Sequence, residues 1–207
     1  MRFRPAIVVV AAGRGSRFDA AVHKLEQPFG GSTVLGTTLR HAIQTQLPVV
    51  LVTSEALEPL AARQLARRDI VVLSAEAAAR GMGASIASGV AERSGAPGWL
   101  ILPADMPLVK PSSLLAVASA LEQHPIVFAQ HRGRRGHPVG FSAELYSELI
   151  MLAGDEGARR LLARYPAQGV EVDDLGVLVD IDTEPELQQA RALAEESADA
   201  APARAAG

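Results

Sequence analysis

Short apolar runs alternate with amphipathic stretches along most of the chain, which predicts strands alternating with helices. Residues 7–11 are continuously apolar, as expected for a strand covered on both faces. Further strands are predicted at residues 48–53, 70–73, 99–102 and 126–130. Helices are predicted at residues 34–44, 57–67, 83–92 and 112–122. This order predicts an α/β fold with a mostly parallel sheet and helices on both faces.

The regular alternation ends after residue 130. A polar loop at residues 131–138 is predicted to lead into a short apolar strand at 139–141, as a hairpin-like excursion or an antiparallel strand. Beyond it we expect helices near 145–152 and 156–164, a strand pair near Val170 and 177–179, and a last helix from Pro185. Residues 1–196 are expected to form one domain. The alanine-rich tail, 197–207, is expected to be disordered beyond a frayed helix end.

Composition narrows the class of protein. The chain has 207 residues, of which 48% are hydrophobic, enough for one compact domain with a large core. A net charge of −3 gives no broad basic surface, so we expect no nucleic acid partner. The absence of cysteine excludes disulfides and thiolate metal sites. We see no signal peptide and no apolar stretch long enough to span a bilayer, and we therefore expect a cytoplasmic protein without a membrane partner.

A glycine-rich loop follows the first strand directly. Ala11 and Ala12 lead into Gly13 and Gly15, whose amides can approach a phosphate, and Arg17 can add charge-assisted hydrogen bonds. The loop lacks the Gly-Lys-Ser/Thr of a P-loop, and a phenylalanine follows Arg17 where a dinucleotide fingerprint has a small residue. The same glycines also suit a tight turn with no ligand, and this segment alone leaves both interpretations open.

Two acidic segments follow predicted strands. Asp105 ends the strand at 99–102, and Asp180 and Asp182 lie on one side of an extended segment. Carboxylates at such an edge suit Mg²⁺, which is commonly held by one or two carboxylates together with substrate phosphates. Asp105 can equally cap a turn. Thr183 and Glu186 form a capping box, so either of the later aspartates can also signal the start of a helix.

Three further segments carry polar groups. The glycines at residues 81–85 open a predicted helix and can meet a nucleotide or merely supply a flexible turn. Residues 154–159 begin another helix, with Asp155 placed as an ordinary N-cap. The basic cluster at 132–137 can hold an anionic substrate or form a solvated loop. Its histidines have no zinc-like spacing, so no transition metal is predicted.

Taken together, the motifs resemble the molybdenum cofactor cytidylyltransferase group of the MobA-like nucleotidyltransferases, which share a Rossmann-like sheet. The resemblance covers most of the chain and rests on short segments in a fixed order. These are residues 11–18 (AAGRGSRF), 24–25 (KL), 81–85 (GMGAS), 103–107 (PADMP), 136–139 (GHPV), 154–159 (GDEGAR) and 180–183 (DIDT).

The resemblance implies a Mg²⁺-dependent nucleotidyltransferase. It transfers CMP from CTP to the phosphate of a molybdopterin-type cofactor and releases pyrophosphate, and a molybdoenzyme that receives the product is a further partner. The implied catalytic residues are Arg17, Lys24 and Asp105. The implied nucleotide-binding residues are Ala11, Ala12, Gly13, Gly15, Arg17, Lys24, Gly81, Met82 and Ser85. The implied acceptor residues are His137, Pro138, Gly154 and Asp155, and the implied Mg²⁺ ligands are Asp105, Asp180 and Asp182.

One departure from the family pattern lies just after the glycine loop. The family usually has Arg, an apolar residue, Gly and then Lys within a few positions, whereas residues 19–23 here separate Phe18 from Lys24 and contain no glycine. Two alternatives therefore stay open beside the cytidylyltransferase. One is a nucleotidyltransferase that uses GTP or a different acceptor, and the other is a non-catalytic accessory protein that binds the molybdenum cofactor. A nicotinamide-dependent oxidoreductase is disfavoured by Phe18.

Overall fold

The computed structural model describes residues 3–13, 18, 22–154 and 158–199. Its strands are β1 (Ala6–Ala11), β2 (Pro28–Phe29), β3 (Ser32–Thr33), β4 (Val49–Ser54), β5 (Ile70–Leu73), β6 (Gly98–Pro103), β7 (Ile126–His131), β8 (Arg134–Ser142) and β9 (Ala167–Glu171). Its α-helices are α1 (Val34–Gln44), α2 (Glu58–Ala61), α3 (Ala75–Ala78), α4 (Met82–Glu92), α5 (Pro111–Ala120), α6 (Tyr146–Leu149), α7 (Arg159–Arg164) and α8 (Glu184–Asp199). Short 3-10 helices cover Lys24–Glu26, Glu55–Leu57, Arg67–Asp69, Ala143–Leu145 and Leu175–Leu178.

Seven strands form the main sheet in the order β5-β4-β1-β6-β8-β7-β9. β8 is antiparallel to both of its neighbours, and the other pairs are parallel. The predicted α/β fold with a mostly parallel sheet is confirmed. Because β8 runs backwards, its first residues lie at the same edge of the sheet as the carboxyl end of β6, where Ile101 pairs with Val139.

Helices cover both faces of this sheet. In β1, which is fully buried, Ile7 and Val9 face a core formed with α1, α5 and α8, whereas Val8 faces a core formed with α4, α6 and α7. The continuously apolar run therefore reports burial on both sides, as predicted. None of the helices in the described ranges is long and apolar enough to cross a membrane.

The hairpin or antiparallel strand predicted after residue 130 is confirmed, but the loop predicted at residues 131–138 is too long, because residues 134–138 belong to strand β8. Arg132 and Gly133 both have positive φ angles, +50° and +75°, and form the two-residue turn between β7 and β8. Such turns match the right-handed twist of the flanking strands. A polar sequence on the exposed end of a hairpin lacks the apolar alternation that predicts a strand, which is why the pattern placed the start of β8 at residue 139 rather than at Arg134.

The strand predicted at residues 177–179 is also wrong. Leu175–Leu178 form a 3-10 helix, because the carboxylate of Asp174 accepts a hydrogen bond from the Gly176 N–H at 3.0 Å. Gly176 also packs against the carbonyl of Leu108, so closely that a Cβ atom would lie 2.4 Å from that oxygen. β9 consequently pairs with β7 rather than with this segment.

The helix predicted at residues 57–67 is shorter than expected. Its hydrogen bonds change from four-residue to three-residue spacing, with the Gln64 N–H donating to the Ala61 carbonyl at 3.0 Å. This tightening ends the α-helix after one turn. The last helix begins at Glu184, one residue before the predicted start, and runs to Asp199, and residues 200–207 of the expected tail lie outside the described part of the chain.

Candidate active site

Lys24 connects two carboxylates that lie far from it in the sequence. Its Nζ donates hydrogen bonds to Oδ2 of Asp105 at 2.6 Å and to Oδ1 of Asp182 at 2.7 Å. The adjacent Leu25 is buried in the core, and the ring of His23 accepts a hydrogen bond from the Leu25 N–H at 3.2 Å. These two contacts fix the backbone of the 3-10 helix, so Lys24 extends from an anchored position. The structure therefore brings together three residues that the sequence predicted for the site.

The turn that carries Asp105 is held by its neighbours on three sides. The Ala104 N–H donates to the carbonyl of Val10 at 3.1 Å, and the Thr38 hydroxyl donates to the carbonyl of Ala104 at 2.9 Å. The carbonyl of Asp105 accepts from the Ile181 N–H at 3.0 Å, which brings the segment of Asp182 alongside. Within the described residues the Asp105 carboxylate binds Lys24 and caps no backbone N–H group. The turn-cap interpretation is therefore not supported.

The predicted capping box at the start of α8 is confirmed. Glu186 Oε2 accepts from the N–H groups of Asp182 and Thr183 at 2.9 and 2.8 Å, and the Glu186 N–H donates to the Thr183 hydroxyl at 3.4 Å. The hydrogen bond from the Asp182 N–H is the main cause of a lowered pKa for Glu186, and burial opposes it. The helix start is thus capped by Glu186 and Thr183, while the Asp182 carboxylate faces Lys24.

The electrostatics of this cluster keep Lys24 charged. Burial alone would lower the pKa of Lys24, but the charges of Asp105 and Asp182 and their hydrogen bonds outweigh it, and the pKa is raised above 10.5. The Lys24 side chain is 11% exposed and each carboxylate is 18% exposed. One ammonium against two carboxylates leaves a formal charge of −1. A triphosphate brought to this edge would therefore need additional positive charge.

The carboxylate pair fits a hard divalent cation. Oδ1 of Asp105 is buried and has no hydrogen-bond partner among the residues described, so one oxygen has a coordination position to spare. Two carboxylates are what Mg²⁺ commonly takes from a protein when substrate phosphates complete its shell. Asp180 is exposed, and the described part of the chain contains no group of three His, Cys, Asp or Glu side chains that could hold a metal.

A cavity of about 750 Å³ opens beside these carboxylates. Asp105, Asp180 and Asp182 line it together with His137, and apolar side chains such as Ile86 and Val139 form further parts of its wall. A volume of this size can hold a small organic substrate. The cavity therefore connects the predicted metal ligands with one of the predicted acceptor residues.

His137 reaches this cavity because β8 runs backwards. Burial lowers the pKa of His137, and the charges of Asp105 and Asp180 and a hydrogen bond with the backbone of Ile101 only partly oppose this. Its ring Nδ1 is buried and finds no hydrogen-bond partner within the described ranges. The peptide bond that follows, to the buried Pro138, is cis, and Pro138 does not line the cavity.

Two arginines at the cavity were not singled out as site residues, although one of them belongs to the basic cluster predicted as a possible anion site. Arg135 and His137 are alternate residues of β8 and both line the cavity, and Arg159 at the start of α7 lines it as well. The guanidinium of Arg135 lies 4.4 Å from the centre of the Phe128 ring. The signal was present in the basic cluster at 132–137, but its assignment to a loop hid the two-residue spacing.

The glycine loop is described only in part. Ala11 and Ala12 are buried at the carboxyl end of β1, and Gly13 is exposed with open space where a Cβ atom would lie. Gly15 and Arg17 lie outside the described residues. The buried alanines place the start of this loop beside the Asp105 turn, since β1 and β6 are neighbouring parallel strands.

The predicted nucleotide and acceptor segments meet at the start of α4. Gly81, with φ +87°, precedes this helix, and Met82 lines the cavity, whereas Ser85 is 5% exposed and does not line it. The Gly154 N–H donates to the Arg80 carbonyl at 2.8 Å, and the Gly83 N–H donates to the Gly154 carbonyl at 2.9 Å. The two segments are therefore hydrogen-bonded to each other. The predicted acceptor residue Asp155 lies outside the described residues.

Comparison with known proteins finds relatives along most of the chain. The family model for the MobA-like NTP transferase domain matches residues 7–170. The purine catabolism protein PucB of Bacillus subtilis is 34% identical over 197 residues, covering 89% of this chain and 94% of PucB. The molybdenum cofactor cytidylyltransferase of Escherichia coli is 24% identical over 176 residues, covering 85% of this chain and 90% of that enzyme.

Among solved structures, Rv0371c from Mycobacterium tuberculosis matches with a TM-score of 0.77 and 29% identity, covering 90% of this chain and 97% of that one. A second structure of the same protein is a complex with manganese, which matches with a TM-score of 0.75 and 28% identity over 91% of this chain and 98% of that chain. The fold is thus shared along nearly the full length of these solved structures.

Proposed function

Since this chain belongs to the MobA-like NTP transferase family, we propose that it transfers CMP from CTP to the phosphate of a molybdopterin-type cofactor. An oxygen of the acceptor phosphate attacks the α-phosphorus of CTP and forms a new P–O bond. The bond between the α-phosphorus and the bridging oxygen to the β-phosphate breaks, and pyrophosphate leaves with that electron pair. The observation that carries the proposal is the Lys24, Asp105 and Asp182 cluster, whose two carboxylates line a substrate-sized cavity.

In this reaction the chain supplies position and charge. Lys24 is held beside the site in its charged form and donates hydrogen bonds to phosphate oxygens, whose negative charge it offsets. The family resemblance assigns Arg17 of the glycine loop the same task on the phosphates. Ala11, Ala12, Gly13 and Gly15 would cradle the nucleotide from the end of β1.

Asp105 and Asp182 would hold the metal ion that the family resemblance implies, with Asp180 contributing from the same cavity. Bound there, Mg²⁺ would neutralise charge on the phosphates. The support lies in the donor set, which consists of hard carboxylate oxygens with one buried oxygen unpartnered within the described ranges. The protein's own part is to keep these carboxylates beside the cavity through the hydrogen bond between Ile181 and Asp105.

The choice of CTP and of the acceptor rests on different observations. The sequence Ala11-Ala12-Gly13 resembles the cytidylyl branch of the family, and the Escherichia coli relative is named a cytidylyltransferase. For the acceptor, Arg135 and Arg159 provide two guanidinium groups at the cavity, which suit an anionic substrate. The resemblance also assigns acceptor binding to His137, Pro138, Gly154 and Asp155. It suggests a molybdoenzyme as the recipient of the product.

A second proposal concerns the setting of the reaction. PucB, a purine catabolism protein, shares 34% identity, whereas the cytidylyltransferase shares 24%. We infer from this difference that the transferase activity supports the breakdown of purines. The test is to express this chain in Bacillus subtilis cells that lack PucB. Recovery of purine breakdown supports this setting, and failure by a protein that is active in the enzymatic assay argues against it.

The proposed reaction is tested by measuring pyrophosphate release with CTP, GTP, ATP and UTP in the presence of molybdopterin or another phosphorylated acceptor. Asp105→Asn keeps the side-chain shape but removes the charge, and we expect turnover to fall by at least about 100-fold, as for loss of a charge-stabilising group in other active sites. Asp173→Asn is the matched control, because Asp173 is exposed and does not line the cavity.

Each outcome selects one interpretation. Pyrophosphate release only with the combination of CTP and molybdopterin supports the proposal. Release with another nucleotide or acceptor instead supports the alternative nucleotidyltransferase with a different substrate. No release with any nucleotide, together with intact cofactor binding, favours the non-catalytic accessory protein. Full activity of the Asp105→Asn variant would refute the role assigned to Asp105.

A further inference from the structure

The ammonium group of Lys24 lies where the carboxylate pair would receive a metal ion. Its Nζ is 2.6 Å from Oδ2 of Asp105 and 2.7 Å from Oδ1 of Asp182, so a positive charge already joins the two carboxylates. All three side chains are mostly buried, and solvent therefore screens their interaction only weakly. A divalent cation that binds the pair, even through Oδ1 of Asp105, which is unpartnered in the described part of the chain, meets a like charge held at hydrogen-bond distance from both carboxylates. Lys24 and a metal ion consequently compete for the pair.

The local structure allows the side chain to leave while the backbone stays. Leu25 is 3% exposed and anchors the 3-10 helix in the core, so packing fixes the backbone of this helix. Lysine has four rotatable carbon–carbon bonds beyond its Cα atom, which let the ammonium swing through several ångströms. Asp105 and Asp182 stay in place through their backbone hydrogen bonds to Ile181 and Glu186.

We propose that Lys24 is an internal counter-ion that binds the carboxylates of Asp105 and Asp182 until a nucleoside triphosphate binds. The phosphates attract the ammonium away from the carboxylates, and the positive charge that opposes a divalent cation at this pair is removed. Free metal therefore binds weakly, whereas nucleotide and metal strengthen each other's binding, as reciprocal coupling requires. This inference rests on the proposed function in one respect, the use of this carboxylate pair for metal.

The chain offers a matched control for this proposal, because Lys24 and Lys110 are its only lysines. The Lys110 ammonium lies 3.4 Å from the backbone carbonyl of Asp173, outside the cavity of the active site. Lys24→Met and Lys24→Gln remove the charge with two different side-chain shapes, Lys24→Arg keeps it, and Lys110→Met removes the control charge. Circular dichroism and the unfolding temperature establish that each variant is folded.

The measurement is the binding of Mn²⁺ alone, without nucleotide, followed by the electron paramagnetic resonance signal of the free ion. We expect Lys24→Met and Lys24→Gln to bind Mn²⁺ at least about ten-fold more tightly than the wild type, which corresponds to about 1.4 kcal/mol. Lys24→Arg and Lys110→Met should bind as weakly as the wild type. The gain should disappear when Lys24→Met is combined with Asp105→Asn, which assigns it to the carboxylate pair.

Equal Mn²⁺ affinity in the wild type and in whichever neutral Lys24 variants fold would overturn the counter-ion role. So would a gain that survives the Asp105→Asn substitution. These results are independent of the proposed transfer reaction. If the protein releases no pyrophosphate but shows the expected Mn²⁺ pattern, the counter-ion role is supported and the proposed reaction is refuted. If it releases pyrophosphate without the expected Mn²⁺ pattern, the reaction is supported and the counter-ion role is refuted.

Discussion

Substituting Gly83 by alanine should disturb the contact between the nucleotide and acceptor segments. The new Cβ atom would lie 2.7 to 2.9 Å from three backbone atoms of Ala153, which belongs to the segment that precedes α7. Ordinary van der Waals contact begins near 3.4 Å, and backbone atoms cannot move aside as a flexible side chain can. The segment must therefore shift by several tenths of an ångström.

The magnitude follows from opposing contributions. Alanine in place of glycine within a helix gains about 1 kcal/mol in helix propensity. Overpacking against a fixed backbone costs about 1–3 kcal/mol. The shift also weakens the two hydrogen bonds that join Gly154 to Arg80 and Gly83, each with a net worth of about 1 kcal/mol. We therefore expect a net destabilisation of about 2 kcal/mol, or a fall in Tm of about 4–8 °C for a chain of this size.

The assay combines urea unfolding with steady-state kinetics. Because the two segments are hydrogen-bonded to each other, Gly83→Ala should raise KM for nucleotide and acceptor together. Gly95→Ala is the control, since a Cβ atom at Gly95 meets nothing within 4 Å and should change stability by less than about 0.5 kcal/mol. A Gly83→Ala protein as stable as the wild type, or one with only one KM changed, would refute the coupling of the two segments.

Two other substitutions test the structure around the site. Asp174 is 3% exposed, and its carboxylate accepts three hydrogen bonds, from the Lys110 and Gly176 N–H groups and the Ser113 hydroxyl. Asp174→Ala should therefore lower the free energy of unfolding by about 2–4 kcal/mol. A loss below about 0.5 kcal/mol in urea unfolding would contradict this. Because the pKa of His137 is lowered in the folded state, the unfolded chain takes up a proton near pH 6.5 before the folded chain does, and stability is lost as the pH falls below that value. His137→Gln should therefore lose less stability than the wild type between pH 7.5 and 5.5, and an equal loss would refute this assignment.

The sequence predicted the sheet better than the connections, for a physical reason. A strand buried on both faces, such as β1, has a continuous apolar run, and the pattern alone reports this environment. The 3-10 helix at Leu175–Leu178 depends instead on the Asp174 side chain and on the approach of Gly176 to the Leu108 carbonyl. Contacts between segments far apart in the sequence leave no periodic signal in either of them.

The same distinction applies to the candidate site. Asp105 and Asp182 could be identified because each follows an apolar segment at a position where functional carboxylates are common. Their connection through Lys24 could not be predicted from the pattern, because it depends on the hydrogen bond between Ile181 and Asp105, which joins segments far apart in the sequence. Arg135 was predicted only as part of a basic cluster that could also be a solvated loop, because the polar residues at the exposed end of β8 give no strand pattern.

The direction of β8 explains how one carboxylate can serve both substrates of the proposed reaction. In an all-parallel sheet the first residues of this strand would lie at the opposite edge from the carboxyl end of β6, and Arg135 and His137 would face away from the nucleotide. Because β8 is antiparallel to β6, these residues and Asp105 line one cavity. Asp105 lies two residues after the end of β6, the strand that pairs in parallel with β1 on one side and antiparallel with β8 on the other. The reversed strand is therefore the feature of the fold on which the proposed transfer between two substrates depends.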